Sequence, residues 1–117
     1  RSADEVLEMV GLAERKEHFP AQMSGGEQQR VSIARAIVKN PSILLCDEPT
    51  GALDYQTSKE ILQLIEDVNQ RFGNTVILVT HNDAIQGMAD QVIKLRDGQI
   101  RKCIYNDKKQ AVAELEW

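Results

Sequence analysis

The 117-residue sequence contains no apolar run of the length needed to cross a bilayer, and no signal-peptide pattern opens it. A protein working in the cytosol is the expectation. Only two cysteines occur, Cys46 inside an apolar stretch and Cys103 near the end. Their spacing suits no metal site, so they read as small residues in a reducing compartment. Basic side chains are outnumbered, 14 against 18 acidic, for a net charge of -4. That balance argues against a nucleic-acid-binding surface, although a local basic patch can survive inside an acidic total. There is no internal repeat and no low-complexity segment. Methionine is missing from the first position: the chain opens at Arg1, directly with a helical pattern, which predicts a piece of something longer. What is present is an ordinary globular composition, 42% hydrophobic and 27% charged. The length allows one domain with a real core.

The chain is organised around Ser42 to Asp54, SILLCDEPTGALD. Ile43, Leu44, Leu45 and Cys46 run without alternation into two adjacent carboxylates, Asp47 and Glu48. An unbroken apolar run predicts a central parallel strand covered on both sides by helices. Ligands in such sheets sit beyond the carboxyl ends of the strands. Pro49 biases Glu48 toward extended backbone and keeps it at the strand's exit. Two charges placed there must offset their desolvation, and a divalent cation is the usual reason.

Upstream, Ala3 to Leu12 reads as a short amphipathic helix stopped near Gly11, and Glu14 to Gln22, with Pro20, as a loop. In MSGGEQQR, Ser24 and Glu27 form a capping box for a helix from about Gly26 to Lys39. Downstream, Tyr55 to Phe72 carries Ile61, Leu64, Ile65, Val68 and Phe72 on one stripe, a long amphipathic helix ended by Gly73 and Asn74. Thr75 to Thr80 is a second apolar run, rich in β-branched residues and followed by His81. Strand, helix and strand make a βαβ unit with parallel strands, which brings Asp47, Glu48 and His81 to one edge of the sheet. Asn82 to Met88 reads as a short helix. Gln91–Leu95 and Gln99–Cys103 form a hairpin around Asp97-Gly98, and Lys108 to Trp117 is expected to be a terminal helix.

These stretches carry a resemblance. MSGGEQQR resembles the signature motif of ATP-binding cassette (ABC) ATPase domains, ILLCDE their Walker B, GALD their D-loop, and the VTH ending at His81 their switch-histidine loop. All four stand in the family's order and approximate spacing, and the chain resembles the C-terminal half of such a domain. The implied fold is α/β, a partial P-loop NTPase fold in three layers with parallel core strands and a C-terminal β-hairpin. Residues 1–40 would end the helical subdomain and 41–117 would form the C-terminal part of the catalytic core. The GALD and VTHN versions look similar to lipoprotein, macrolide or peptide-export subunits.

By this resemblance Asp47 holds Mg2+ through a water, and Glu48 is the general base that polarises the attacking water, a role worth about 10²–10⁴-fold. His81 contacts the terminal phosphate. Ser24, Gly25, Gly26 and Glu27 would meet the phosphate of ATP held by the opposite subunit, with glycines and helix amides allowing close approach. The same Ser24–Glu27 pair also reads simply as a helix cap. Met23 stands for the usual leucine and Glu27 where glutamine is common; Glu27 would slightly oppose an anion. Asp54 would lie at the dimer interface, or is an ordinary helix-starting Asp.

The family's Walker A loop, GxxxxGK[ST], occurs nowhere in the sequence. The base-stacking aromatic and the glutamine loop are likewise missing. Half of each active site is therefore expected here, with no hydrolysis by this piece alone. The implied partners are a second ATPase subunit in a head-to-tail dimer and a membrane permease, at the inner face of the plasma membrane, with no nucleic acid. The competing readings are a soluble ABC ATPase acting on ribosomes or DNA, disfavoured by the acidic charge, and a non-catalytic dimerising half-domain. Removing sheet neighbours also predicts self-association.

Overall fold

The structure, a computed structural model, describes residues 25–116, which divide into two units between Val79 and Thr80. The helix expected over Ala3 to Leu12, the loop Glu14 to Gln22, the cap at Ser24 and Trp117 lie outside the described residues.

In the first unit, α1 (Gly25–Val38) leads to β1 (Ile43–Asp47), α2 (Tyr55–Phe72) and β2 (Thr75–Val79). The helix ends follow local chemistry. Asn40 turns left-handed with φ 53° after α1, and its N–H reaches the Ile37 carbonyl at 2.9 Å; Pro41 then bars continuation. Gly73 closes α2 at φ 68°, where a side chain would be strained, and its N–H bonds the Asn69 carbonyl at 3.0 Å. With α2 thus stopped, the chain returns into β2 alongside β1. The two strands pair in parallel from Ile43↔Thr75 to Asp47↔Val79, as the βαβ pattern requires.

Both helices lay their apolar stripes on one face of this pair. Ile33, Ala34 and Ile37 of α1 cluster with Ile61, Leu64, Ile65 and Val68 of α2 around Leu44 and Cys46. Each fully buried Ile or Leu contributes roughly 1.5–3 kcal/mol. The other face differs from the expectation of burial on both sides: Ile43 is 59% exposed and Leu45 64%, against 4% for Leu44. An unbroken apolar run thus alternates in burial, because among the described residues helices cover only one side.

In the second unit, residues 83–88 form a 3-10 helix (Asp83–Met88), tighter than the helix expected, opened by the Asn82 side chain accepting from the Ala84 N–H at 3.0 Å. Then β3 (Gln91–Arg96) and β4 (Gln99–Tyr105) pair antiparallel, with an irregularity between Lys94 and Leu95. Asp97 and Gly98, at φ 53° and 76°, both take the positive φ of the expected two-residue turn. Asn106 anchors the hairpin's exit by donating to the Gln86 and Ala89 carbonyls at 2.9 and 2.8 Å. Among the described residues, the terminal helix expected over Lys108 to Trp117 is not there; Val112–Glu114 makes a 3-10 turn instead. Two buried apolar side chains in that stretch, Val112 and Leu115, sit three apart and are satisfied by one turn.

Candidate functional site

The parallel register decides where the acid pair stands. Asp47 ends β1 opposite Val79, the last residue of β2, so both strands deliver their carboxyl ends to one rim. The Asp47 side chain is exposed there and Glu48 is half-buried. Glu48 does not adopt the extended backbone that Pro49 favours: its φ is 46°. Two bonds explain this. Its N–H extends the ladder to the Val79 carbonyl at 2.7 Å, and its carbonyl accepts from Gly51 N–H at 3.1 Å, closing a tight turn. The residue must therefore pair with β2 and reverse the chain at once. A non-glycine residue held left-handed costs roughly 1–2 kcal/mol, and strain of this kind collects at functional sites.

A second turn follows, with the Leu53 N–H on the Thr50 carbonyl at 3.2 Å. This loop faces the start of α1 across a cleft of about 290 Å³ lined by Gly25, Gln28, Gln29 and Ser32 on one side and by Glu48, Gly51 and Leu53 on the other. Gly25 and Glu48, singled out separately in the sequence, thus share one cleft. The first amides of α1 and the positive end of its dipole open here, suited to an anion. The glycines also have packing reasons. A methyl at Gly25 would meet Leu53 at 3.3 Å, and one at Gly26 would meet the Thr57 methyl at 2.5 Å. Arg30 of α1 reaches Glu60 of α2 at 3.5 Å, so the two helices are joined along this edge.

Asp54 stands exposed just before α2 in extended backbone, with φ -69° and ψ 169°. The Thr57 hydroxyl beside it holds its carboxyl below the ordinary range, with lesser help from nearby amides, although no amide of the first turn makes a closed bond to the side chain. Thr57 and the cleft residues Gln28, Gln29 and Ser32 were not singled out in the sequence. Thr57 had a readable signal, standing three residues after Asp54 at the start of an apolar stripe. The glutamines gave none beyond lying one turn into a helix. Glu27 is half-buried on the first turn of α1. His81 belongs to the second unit, exposed, two residues beyond the end of β2, and Ser24 lies outside the described residues.

Burial pushes the Cys46 thiol up to about 11, which fits packing rather than chemistry. No group of three or more His, Cys, Asp or Glu that could form a metal cage exists among the described residues, and no helix among them is long and apolar enough to cross a membrane.

Comparison with known proteins agrees with this geometry. The family model described as "ABC transporter" matches residues 1–51. A methionine import ATP-binding protein, MetN 3 of Pectobacterium atrosepticum, is 48% identical over 86% of this chain and 29% of its own length. The macrolide export ATP-binding/permease protein MacB of Chlorobaculum tepidum is 49% identical over 93% of this chain and 16% of its own. Among solved structures, the dimeric post-hydrolysis state of the ATP-binding cassette MJ0796 bound to ADP and Pi superposes with a TM-score of 0.72 at 44% identity, over 86% of this chain and 44% of that one. The chain therefore spans less than half the length of each of these relatives. With motifs, register and fold in agreement, it belongs to the ABC transporter family, as a part of the ATPase domain.

Proposed function

We propose that this chain supplies the signature motif, Walker B carboxylates, D-loop and switch histidine of an ATPase that binds and hydrolyses ATP to power transport across a membrane. The observation that carries the reading is the register of β1 with β2, which sets Asp47 and Glu48 at the rim where β2 ends and from which the chain runs on to His81. Phosphoryl transfer to water needs a positioned nucleophile and neutralised phosphate charge. Glu48 accepts a proton from the attacking water, and His81 holds the terminal phosphate in line. Gly25, Gly26 and Glu27, with Ser24, offer backbone amides to the phosphate of a nucleotide carried by a second subunit. Asp54 sits at the interface between the subunits.

Asp47 suits Mg2+. This ion binds through one or two carboxylates and otherwise through waters and substrate phosphates, and the exposed carboxylate at the strand end offers that rather than a cage. Bound there, the ion would neutralise phosphate charge. The partners are a second ATPase subunit in a head-to-tail dimer and a permease, which would hold the protein at the inner face of the plasma membrane. An importer and an exporter both stand among the relatives, so the reading concerns the step they share.

The test is Glu48→Gln in the complete cassette. The amide keeps the shape of the side chain and cannot take the proton. Turnover should fall at least about 100-fold while Mg-ATP binding, read by calorimetry, persists. Turnover at the parent rate would remove Glu48 from the role of base.

A further inference from the structure

We propose that Asn106 is a positioning residue for His81: it caps, from beyond the hairpin, the 3-10 helix whose opening turn carries the imidazole. This rests on the role given above to His81 and names what holds that residue in place. The 3-10 helix Asp83–Met88 runs for six residues, longer than the three or four that this geometry usually sustains on its own bonds. Help from outside is present at both ends. At the start, the Thr80 hydroxyl accepts from the Asn82 N–H at 3.0 Å, and the Asn82 side chain accepts from the Ala84 N–H at 3.0 Å. His81 is the middle residue of the first of these turns, so its backbone is fixed from both sides. At the other end, where a helix leaves its last carbonyls short of partners, the tail supplies donors. Asn106 Nδ2 donates to the Gln86 carbonyl at 2.9 Å and to the Ala89 carbonyl at 2.8 Å, and the Gln110 N–H donates to the Gly87 carbonyl at 2.7 Å.

Two carbonyls facing one carboxamide decide which end of it points at them, because only the NH2 has two hydrogens to give. Both are used here. The Asn106 N–H also donates to the Asp90 carbonyl at 3.0 Å, and the residue is half-buried, so water competes poorly for these bonds. Gly87 lets the tail come in this close, since a Cβ there would run into the Gln110 carboxamide. The hydrogen bonds thus lead from the tail, through one short helix, to the turn at Thr80–Asn82. Six residues are too few to melt at one end alone, so losing the far cap releases Asn82 and with it the backbone of His81.

The test is Asn106→Asp, which keeps the shape of the side chain and, ionised, has no hydrogen to give. In the 117-residue chain near neutral pH, amide exchange at Asn82 and Ala84 should quicken about 10-fold or more, and the ring signals of His81 should shift or broaden, while β3 and β4 keep their protection. Lowering the pH until the new carboxyl protonates should restore part of that protection relative to the parent, because the acid form regains one donor. Asn106→Ala removes the donors without adding charge and carries the same neutral-pH expectations where Asn106→Asp does not fold. Unchanged exchange with an unchanged ring spectrum overturns the proposal, and so does a loss spread evenly over hairpin and tail, or a failure of both variants to fold, which mark ordinary packing.

In the complete cassette, Asn106→Asp should lower kcat for ATP about 10-fold or more with KM nearly unchanged. Val112→Ala, which thins the buried side of the same tail, should keep the parent kcat below its Tm. In a His81→Ala background Asn106→Asp should lose nothing further, because it acts only through the imidazole; a full second loss there overturns the proposal. Parent turnover in His81→Ala alone would refute the role given to that histidine, and the exchange and ring signals would still judge the cap.

Discussion

Glu48 donates its N–H to the Val79 carbonyl at 2.7 Å, one step beyond the last paired residues, while its own backbone has already turned left-handed at φ 46°. The ladder is extended and abandoned at the same residue. That fixes the acid at the rim and aims the following loop back toward the start of α1. The sheet, rather than the loop, therefore sets the position of the proposed base.

The same bond predicts a trade of stability against function. Glycine accepts positive φ without the cost of roughly 1–2 kcal/mol that a side chain meets there, and gives back about 0.5–1 kcal/mol in unfolded-state freedom. Glu48→Gly should therefore raise the unfolding free energy of this chain by up to about 1 kcal/mol, read as a higher urea midpoint at unchanged slope. In the complete cassette the same change should abolish turnover. A lower midpoint would show that the glutamate side chain contributes more to folding than its backbone costs.

The two cysteines should separate cleanly. Cys46 is buried in β1 and Cys103 is exposed on β4. Burial pushes the Cys46 thiol up from 9.0 to about 11, so near pH 9 roughly one in a hundred is thiolate, against half of an ordinary thiol. A thiol reagent should label Cys103 first, and Cys46 only as fast as the chain unfolds. The sign for stability follows from the raised value: the contribution is complete below about pH 9 and is lost as pH climbs toward about 11. Equal labelling rates at the two sites would contradict the burial of β1.

Much of this was readable beforehand, for identifiable reasons. The apolar stripe from Ile61 to Phe72 and the stop at Gly73 gave α2 at its observed bounds, and Asp97-Gly98 gave the hairpin, because both signals are local. The left-handed Glu48 was hidden, since the demand comes from a partner strand more than thirty positions away and overrides the bias of Pro49. Covered and bare faces of β1 could not be told apart either: Leu44 and Leu45 are the same residue type, and only the side on which the helices pack distinguishes them. Of the site, the charged residues and the Ser24-Gly25-Gly26 turn stood out. Thr57 was marked only by standing three residues after Asp54, and its packing against Gly26 is visible only in the fold.

Asp54 should make the chain sensitive to acid in a particular window. Its carboxyl is held below the ordinary range, first by the Thr57 hydroxyl. A carboxylate lowered on folding stabilises fully above its unfolded value and loses that contribution as pH falls through its folded one. Asp54→Asn should therefore unfold at lower urea than the parent near neutral pH, with the two midpoints converging as pH drops through the acid range. Because the group is exposed, the gap should also narrow with added salt. Midpoints that stay equally far apart at every pH would assign the difference to something other than this charge.

The bare face of the β1–β2 pair should make the isolated chain associate with itself. Leu45 and Ile77 are register partners, 64% and 47% exposed, and Ile43 and Val79 extend the same apolar surface at 59% and 45%. Among the described residues the sheet has only two strands, so each also offers an unpaired edge. Water is poorly excluded from such a surface by one copy alone, and full burial of one Leu or Ile contributes roughly 1.5–3 kcal/mol. Leu45→Lys with Ile77→Lys should thus raise the concentration needed for association by well over 10-fold, measured by light scattering. Neither side chain belongs to the helix-covered core, so the unfolding midpoint at low concentration should scarcely move. A parent chain that stays monomeric at high concentration would mean that this face is not adhesive, and that exposure of β1 and β2 carries no cost in solution.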